Sequence, residues 1–270
     1  MSGIGFARWQ DLSTRELEAA IVRDPVVILP LAAIEQHGPH LPMSTDLDIG
    51  LGLIDAAAAR IGGDCAVLVL PPMAVGSSME HTAFPGTLTL DSETALATIQ
   101  QIGASTARAG VRRLLFCNSH GGNTQVMDLA GLQLRRKFGL LVVKCSYFRF
   151  PLPDDMHLPP GELRHGLHGG AIETSMMLHL APEAVRRDRC GEGMSVGYRL
   201  EREMKRLGPE GEASFAWMAQ DLHAEGAVGN ALLADAALGA RLVKHYGDAI
   251  AEVIRDVASF PLEILRPGRI

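Results

Sequence analysis

The sequence predicts an α/β fold, a three-layer sandwich with a mainly parallel central sheet and helices on both faces. Three observations carry that prediction. Short continuously apolar runs, VVILPLA, AVLVL, RRLLFC and LLVVKCSYF, alternate with longer stretches of helical periodicity, and strands buried on both faces belong to parallel sheets covered by helices. Helix-start signals precede several of the periodic stretches. Glycines or an Asp-Pro pair close them.

Ser13-Thr14-Arg15-Glu16 has the form of a capping box, so LEAAIV belongs to a first helix, stopped by Asp24-Pro25. Val26 to Leu31 is short, apolar and rich in β-branched residues, as a buried strand should be. LDIGLGLIDAAAARIGG then reads as an amphipathic helix closed by Gly62 or Gly63, before the strand AVLVL. Asp91 caps a helix through Arg108 that ends at Gly110; RRLLFC, TQVMDLAGLQLRRKF and LLVVKCSYF follow as strand, helix and strand. Residues 150–167, rich in Pro and charge, predict a long loop beside the sheet, and a further helix starts near Gly170. The C-terminal ADAALGARLVKHYGDAIAEVIRDVA is helical, packing either within the chain or against a subunit. Residues 1–270 read as one domain.

The composition, 47% hydrophobic and 21% charged with a net charge of −6, is that of a globular protein and lacks the basic face a nucleic-acid binder needs. Small molecules or peptides are the expected partners. No signal-peptide core or membrane-length apolar run appears, so the cytoplasm is the default compartment. Cys65, Cys117, Cys145 and Cys190 form no C-x-x-C pair and read as reduced; the first three adjoin apolar runs and read as core residues.

In open α/β sheets, ligands collect beyond the carboxyl ends of the strands. IEQHGPHLPMSTD, residues 34–46, follows the first predicted strand there, and NSHGGN, residues 118–123, follows the third. An extended stretch would put Glu35 and His37 on the same side. Asp46, placed just before the next helix, either caps it or bridges two cations, and His120 arrives from the second cluster. Such a mixed N/O donor set suits Zn²⁺, Mn²⁺ or Fe²⁺ better than Ca²⁺ or Mg²⁺.

A third cluster, HGLHGGAIETSMMLHL, offers Glu173 as a ligand or general base and His168 as a proton shuttle. Glu173 could equally be a first-turn carboxylate favoured by its helix dipole. Ser77, Ser78 and His81 suggest a Ser–His nucleophile only weakly, because G-x-S-x-G is missing. Neither nucleotide-binding glycine motif is present.

These motifs, E-Q-H-G-x-H-L-P-x-x-T-D at 35–46, S-x-E-H-x-x-F-P-G-T-L at 78–88, N-x-H-G-G-N at 118–123 and H-x-G-x-x-E-T-S at 168–175, resemble the creatininase family in type and order. The resemblance implies an α/β sandwich with a divalent metal centre, often dinuclear, and a homohexamer. It places Glu35, His37, Asp46 and His120 at ligand positions, with Asp46 as the bridge and Glu173 completing the centre. Two departures stand out. Creatininase resembles N-G-H-Y-E-N in the third motif, where this chain has Gly122 in place of a glutamate ligand. Creatininases also close over creatinine with tryptophans ahead of the last motif, whereas the tryptophans here are Trp9 and Trp217.

Creatinine is therefore not the expected substrate. The N-x-H-G-G-N form is similar to branches that include a formamide hydrolase and the peptidase of mycofactocin maturation. The expected activity is metal-dependent hydrolysis of a small amide, cyclic amide or formamide C–N bond by activated water. One or two ions per chain are expected, zinc first, with manganese or iron as alternatives. His168 and Glu173 are the proton-handling candidates. A peptidase acting on a modified peptide, and a non-hydrolytic lyase or isomerase acting on a sugar or keto acid, are the alternative functions.

Overall fold

Five short strands, all parallel, fix where every polar loop of this chain can go. The computed structural model describes residues 5–63 and 65–266. The strands are β1 Phe6–Arg8, β2 Val26–Leu31, β3 Val67–Val69, β4 Arg113–Asn118 and β5 Leu141–Ser146, in the order β1-β3-β2-β4-β5. β2, β3 and β5 fall within the predicted runs, and β4 runs one residue past RRLLFC to Asn118. β1 was not foreseen: FAR is only three residues long and half-buried at the sheet edge, too short to show periodicity.

β2 lies centrally although it contains Pro30. Val26 N and Ala32 N both bond on the β3 side, so position 30 also faces β3, just beyond the last β2–β3 pair, Ile28 and Val69. The missing N–H therefore costs no ladder bond.

The helices are α1 Thr14–Ile21, α2 Thr45–Ile61, α3 Ser92–Arg108, α4 Thr124–Phe138, α5 Pro160–His165, α6 Ala171–Leu180, α7 Gly197–Glu203, α8 Ala219–Leu222 and α9 Ala236–Ser259. Val26, Ile28, Leu115 and Cys117 point into one core with α2, α6 and α9. Val27, Leu29, Leu114 and Phe116 point into the other with α1, α3 and α4. Neighbouring strand residues thus enter opposite cores, as the strand period requires. The capping box at Ser13 and Glu16 and the Asp91 cap, accepting from Thr94 N, form as predicted.

Residues 150–167 are not wholly loop. Pro160, at the first helical position, starts α5, and the buried Glu162 carboxylate accepts from Ala171 N at 2.9 Å and Asn230 N at 2.8 Å. That carboxylate ties the start of α6 to Gly229–Asn230, which pairs antiparallel with Glu192–Gly193. Cys117 and Cys145 are buried and face each other across β4 and β5, whereas Cys65 is only half-buried. No helix among the described residues is long and apolar enough to cross a membrane.

α9 packs within the chain. Its buried stripe of Leu242, Val243, Tyr246, Ile250 and Ile254 has helical spacing and covers α2 and α6, whose first turns carry Asp46 and Glu173. The approach to α6 is close because Gly239 has no side chain: a Cβ there would lie 1.8 Å from Ser175 O. Gly239→Ala should therefore force α6 and α9 apart and cost about 1–3 kcal/mol, the usual range for overpacking. The check is the urea unfolding midpoint, which should fall; an unchanged midpoint would contradict this packing.

Candidate metal centre

Three loops leave the carboxyl ends of β2, β3 and β4 and are stitched together by asparagine side chains. Asn118 accepts from His120 N and donates to His120 O, fixing that backbone just past β4. Asn123 accepts from Ser77 N and donates to Ala32 O and Asn118 Oδ1. The N-x-H-G-G-N pattern therefore has a mechanical reading: its asparagines hold the loops that carry Glu35, His81 and His120 in one crevice.

Backbone carbonyls also set the orientation of three imidazoles. His37 Nδ1 donates to Glu35 O at 3.1 Å, His120 Nε2 to Ser77 O at 2.9 Å, and His168 Nε2 to Gln36 O at 2.5 Å. Each ring is left with its other nitrogen facing the crevice, as metal-binding histidines require. His37 Nε2 lies 3.3 Å from Asp46 Oδ1, His120 Nδ1 3.3 Å from Asp46 Oδ2, and His168 Nδ1 3.7 Å from Glu35 Oε1. His81 accepts from Gln36 Nε2 at 2.7 Å through Nδ1 and turns Nε2 toward Glu35 Oε1 at 3.4 Å.

Ligand-type atoms converge in three groups, each within 4.8 Å: Glu35, Asp46 and His120; His37, Asp46 and Glu173; and Glu35, His37 and His168. Asp46 belongs to the first two, the arrangement a bridge between two cations needs. All of these side chains are buried except Glu173, which is half-buried. Both Glu35 oxygens, His37 Nε2 and Asp46 Oδ2 have no hydrogen-bond partner, and the only other such buried atom among the described residues is Gln100 Nε2. Buried polar atoms are normally satisfied, so this concentration of unmatched donor atoms fits a divalent cation, and the N/O chemistry favours a transition metal.

The charges agree. Burial works against the His37 cation, but the carboxylates of Asp46, Glu173 and Glu35 outweigh it and hold its pKa at about 9. Burial likewise opposes protonation of His120, and Glu35 and Asp46 again prevail, raising it well above the usual histidine range. Asp46 is held low by these two imidazoles despite its burial. Burial, with Asp46 and Glu35 nearby, pushes Glu173 up to about 7. His168 is driven well below its ordinary value by burial and by its neighbours His37 and His81.

Glu173 accepts from Gly169 N at 2.6 Å and Tyr147 Oη at 3.4 Å, which aims its carboxylate inward from the first turn of α6. The sequence-predicted set Glu35, His37, Asp46, His120, His168 and Glu173 is thus brought together. Two local expectations change. Glu35 and His37 lie outside regular strand, converging through the His37–Glu35 backbone bond, and Asp46 lies inside the first turn of α2 rather than before it. His40 supports from behind, bonded to Thr174 Oγ1 at 2.9 Å. Ser78 Oγ lies 3.2 Å from His120 Nε2, so the weakly suggested pairing with His81 does not form.

Tyr147 was missed as a member of the site, and His81 was considered only for the weak Ser–His pairing. His81 follows the end of β3 as His37 and His120 follow β2 and β4, so the strand-end rule could have found it. A cavity of about 960 Å³ opens above the cluster; its outer wall includes Phe215 and Trp217, from a segment with no readable motif.

Residues 10–254 match the family model described as creatininase, creatinine amidohydrolase. The chain is 35% identical over 174 residues to a mycofactocin precursor peptide peptidase of Mycobacterium ulcerans (strain Agy99), covering 63% of this chain and 64% of that one. It is 36% identical over 197 residues to a creatinine amidohydrolase of Pseudomonas putida, covering 66% and 74%. A solved structure described as "Creatininase Mn" superposes with a TM-score of 0.74 at 29% identity, covering 93% of this chain and 98% of that one.

Cation binding should be proton-linked. The pKa of His37 is raised in the metal-free fold, so its proton stabilises that fold at lower pH and is lost as pH rises through about 9. A cation needs the same lone pair and must expel the proton. Zn²⁺ titrated at pH 7 in weak buffer should release at least one proton per chain, and affinity should rise toward pH 9 by about tenfold per unit for each proton expelled. Binding without proton release would remove His37 and His120 from the ligand set.

Proposed function

The chain belongs to the creatininase family, and from that premise we propose that it is a metal-dependent hydrolase of amide-type C–N bonds. The observation that supports this most directly is the pair of donor groups sharing Asp46, in which Glu35, His37 and Asp46 carry buried atoms without hydrogen-bond partners. Glu35, Asp46 and His120 would hold one cation, and His37, Asp46 and Glu173 a second. Zinc is the first expectation, with manganese or iron as alternatives. Bound there, a divalent cation supplies Lewis-acid polarisation of a carbonyl and a lowered pKa for water.

The protein's own groups then divide the remaining work. His168 carries a lone pair on Nδ1 while its Nε2–H is committed to Gln36 O, so it can accept a proton at one defined atom and return it to the leaving nitrogen. Its ring lies between those of His37 and His81, with centroid separations of 4.1 Å and 4.3 Å, which limits its rotation. Tyr147 Oη and Gly169 N hold the Glu173 side chain in one orientation, favouring its use as a ligand over a mobile base.

Six of the chain's thirteen Phe, Tyr and Trp residues line the cavity: Tyr147, Phe148, Phe150, Phe215, Trp217 and Tyr246. Such a wall is larger and more apolar than a compact polar ring such as creatinine needs, so a bulkier amide is the better fit. This favours one second reading, hydrolysis within a peptide, the activity named for the Mycobacterium ulcerans relative. The match spans 64% of that relative's length. We also read residues 1–270 as one cytoplasmic domain that assembles into a homo-oligomer, a hexamer by family resemblance. Leu129 and Leu132, exposed on the outer face of α4, support an assembly surface.

Product formed in ¹⁸O-water by the metal-loaded protein should carry label in the new carboxylate, and His120→Ala should abolish it. Unlabelled product would exclude hydrolysis. Across an amide panel, Trp217→Ala should lower kcat/KM for bulky apolar substrates by about tenfold, equivalent to ~1.4 kcal/mol of lost apolar contact. Formamide-sized substrates should change little; equal losses for both would argue against the wall as a selector.

A further inference from the structure

Glu80 is a carboxylate beside the centre that the donor groups described above do not use. It sits in the one-turn 3₁₀ segment Met79–His81, between the buried Ser78 and His81. Its side chain is 21% exposed, lines the cavity, and brings Oε1 to 3.7 Å from His120 Nε2. That nitrogen is the one bonded to Ser77 O and lies 3.3 Å from Glu35 Oε2, while Nδ1 faces Asp46.

The position depends on Gly122. A Cβ on residue 122 would lie 2.6 Å from Glu80 Oε1, 2.5 Å from His120 Nε2 and 2.3 Å from Ser77 O. No side chain can be added there without moving the carboxylate, the imidazole or the backbone they share. The absence of a side chain at 122 and the presence of a carboxylate at 80 are thus one steric arrangement.

We propose that Glu80 is a positioning residue for the cation that Glu35, Asp46 and His120 would hold, acting through the Nε2 side of the His120 ring. Its negative charge, close to the Nε2–H that Ser77 O accepts, makes the opposite nitrogen a stronger donor and holds the ring toward Asp46. Partners that hydrogen-bond the second nitrogen of a metal-bound imidazole typically set about 10–100-fold in metal affinity, and Glu80 lies beside the nitrogen that Ser77 O holds. The proposal rests on the metal-centre reading and adds a residue outside its ligand set.

The test is Zn²⁺ affinity measured by competition with a chromophoric chelator on the full chain, for wild type, Glu80→Gln, Glu80→Asp and His120→Ala. Glu80→Gln keeps the shape and removes the charge; it should weaken Zn²⁺ binding by about tenfold or more while leaving the unfolding midpoint of the metal-free protein unchanged. Glu80→Asp keeps the charge on a shorter stem and should bind more tightly than Glu80→Gln. Wild-type affinity in Glu80→Gln, or Gln binding at least as tightly as Asp, would overturn the proposal while a loss in His120→Ala left the metal centre standing. A wild-type protein that binds no Zn²⁺ would overturn both.

Discussion

Two buried carboxylates with no lysine or arginine paired to them among the described residues govern this structure. Every ion-pair partner found for Glu35 and Asp46 is a histidine: His81, His120 and His168 for the first, His37 and His120 for the second. Leaving a carboxylate uncompensated in such surroundings costs several kcal/mol even after relaxation. The cluster must therefore hold protons on its imidazoles or cations between its oxygens. Histidine serves both conditions, because it gives up its proton near neutrality and offers the same lone pair to a metal. A lysine would neutralise the charge and occupy the site permanently.

This requirement shapes the loops more than the helices and strands. His37, His81 and His120 come from the segments beyond β2, β3 and β4 and His168 from the turn before α6, and carbonyls of Glu35, Gln36 and Ser77, outside regular strands, are free to accept a ring N–H. Within a strand those carbonyls would be used in the ladder. The buried polar backbone of these loops is satisfied by the site's own side chains, with Asn118, Asn123 and Gln36 each making at least two such bonds. Loop stability and ligand orientation are therefore the same set of hydrogen bonds.

How much of this the sequence discloses follows from that division. β2, β4, α3 and α4 were legible because apolar periodicity and caps are local signals, and the strand-end rule then located Glu35, His37 and His120. β1 was not legible, since three residues carry no period. His81 was obscured by the serines before it, and Trp217 by its distance along the chain: it reaches the cavity through tertiary folding of residues 207–217, which have little regular structure. Asp46 was expected just before its helix and lies inside the first turn, because the helix starts at Thr45 without a side-chain cap that would mark its boundary.

The two carboxylates that come from helices show why the fold can tolerate so much negative charge. Asp46 lies in the first turn of α2 and Glu173 in the first turn of α6, where unpaired N–H groups give the helix end a partial positive charge. Each such placement is favourable by about 0.3–1 kcal/mol, more where the end is partly buried. Gly169 N, just before α6, donates directly to Glu173. These terms are too small to balance buried anions alone, and they need not do so. They lower the cost of bringing acidic groups together before any cation arrives, and α9, packed across both helices, keeps those two ends aimed at the same point. The long apolar C-terminal helix thus contributes to the centre without supplying a ligand: by fixing α2 against α6 it sets the separation of the acidic groups on which the imidazoles converge.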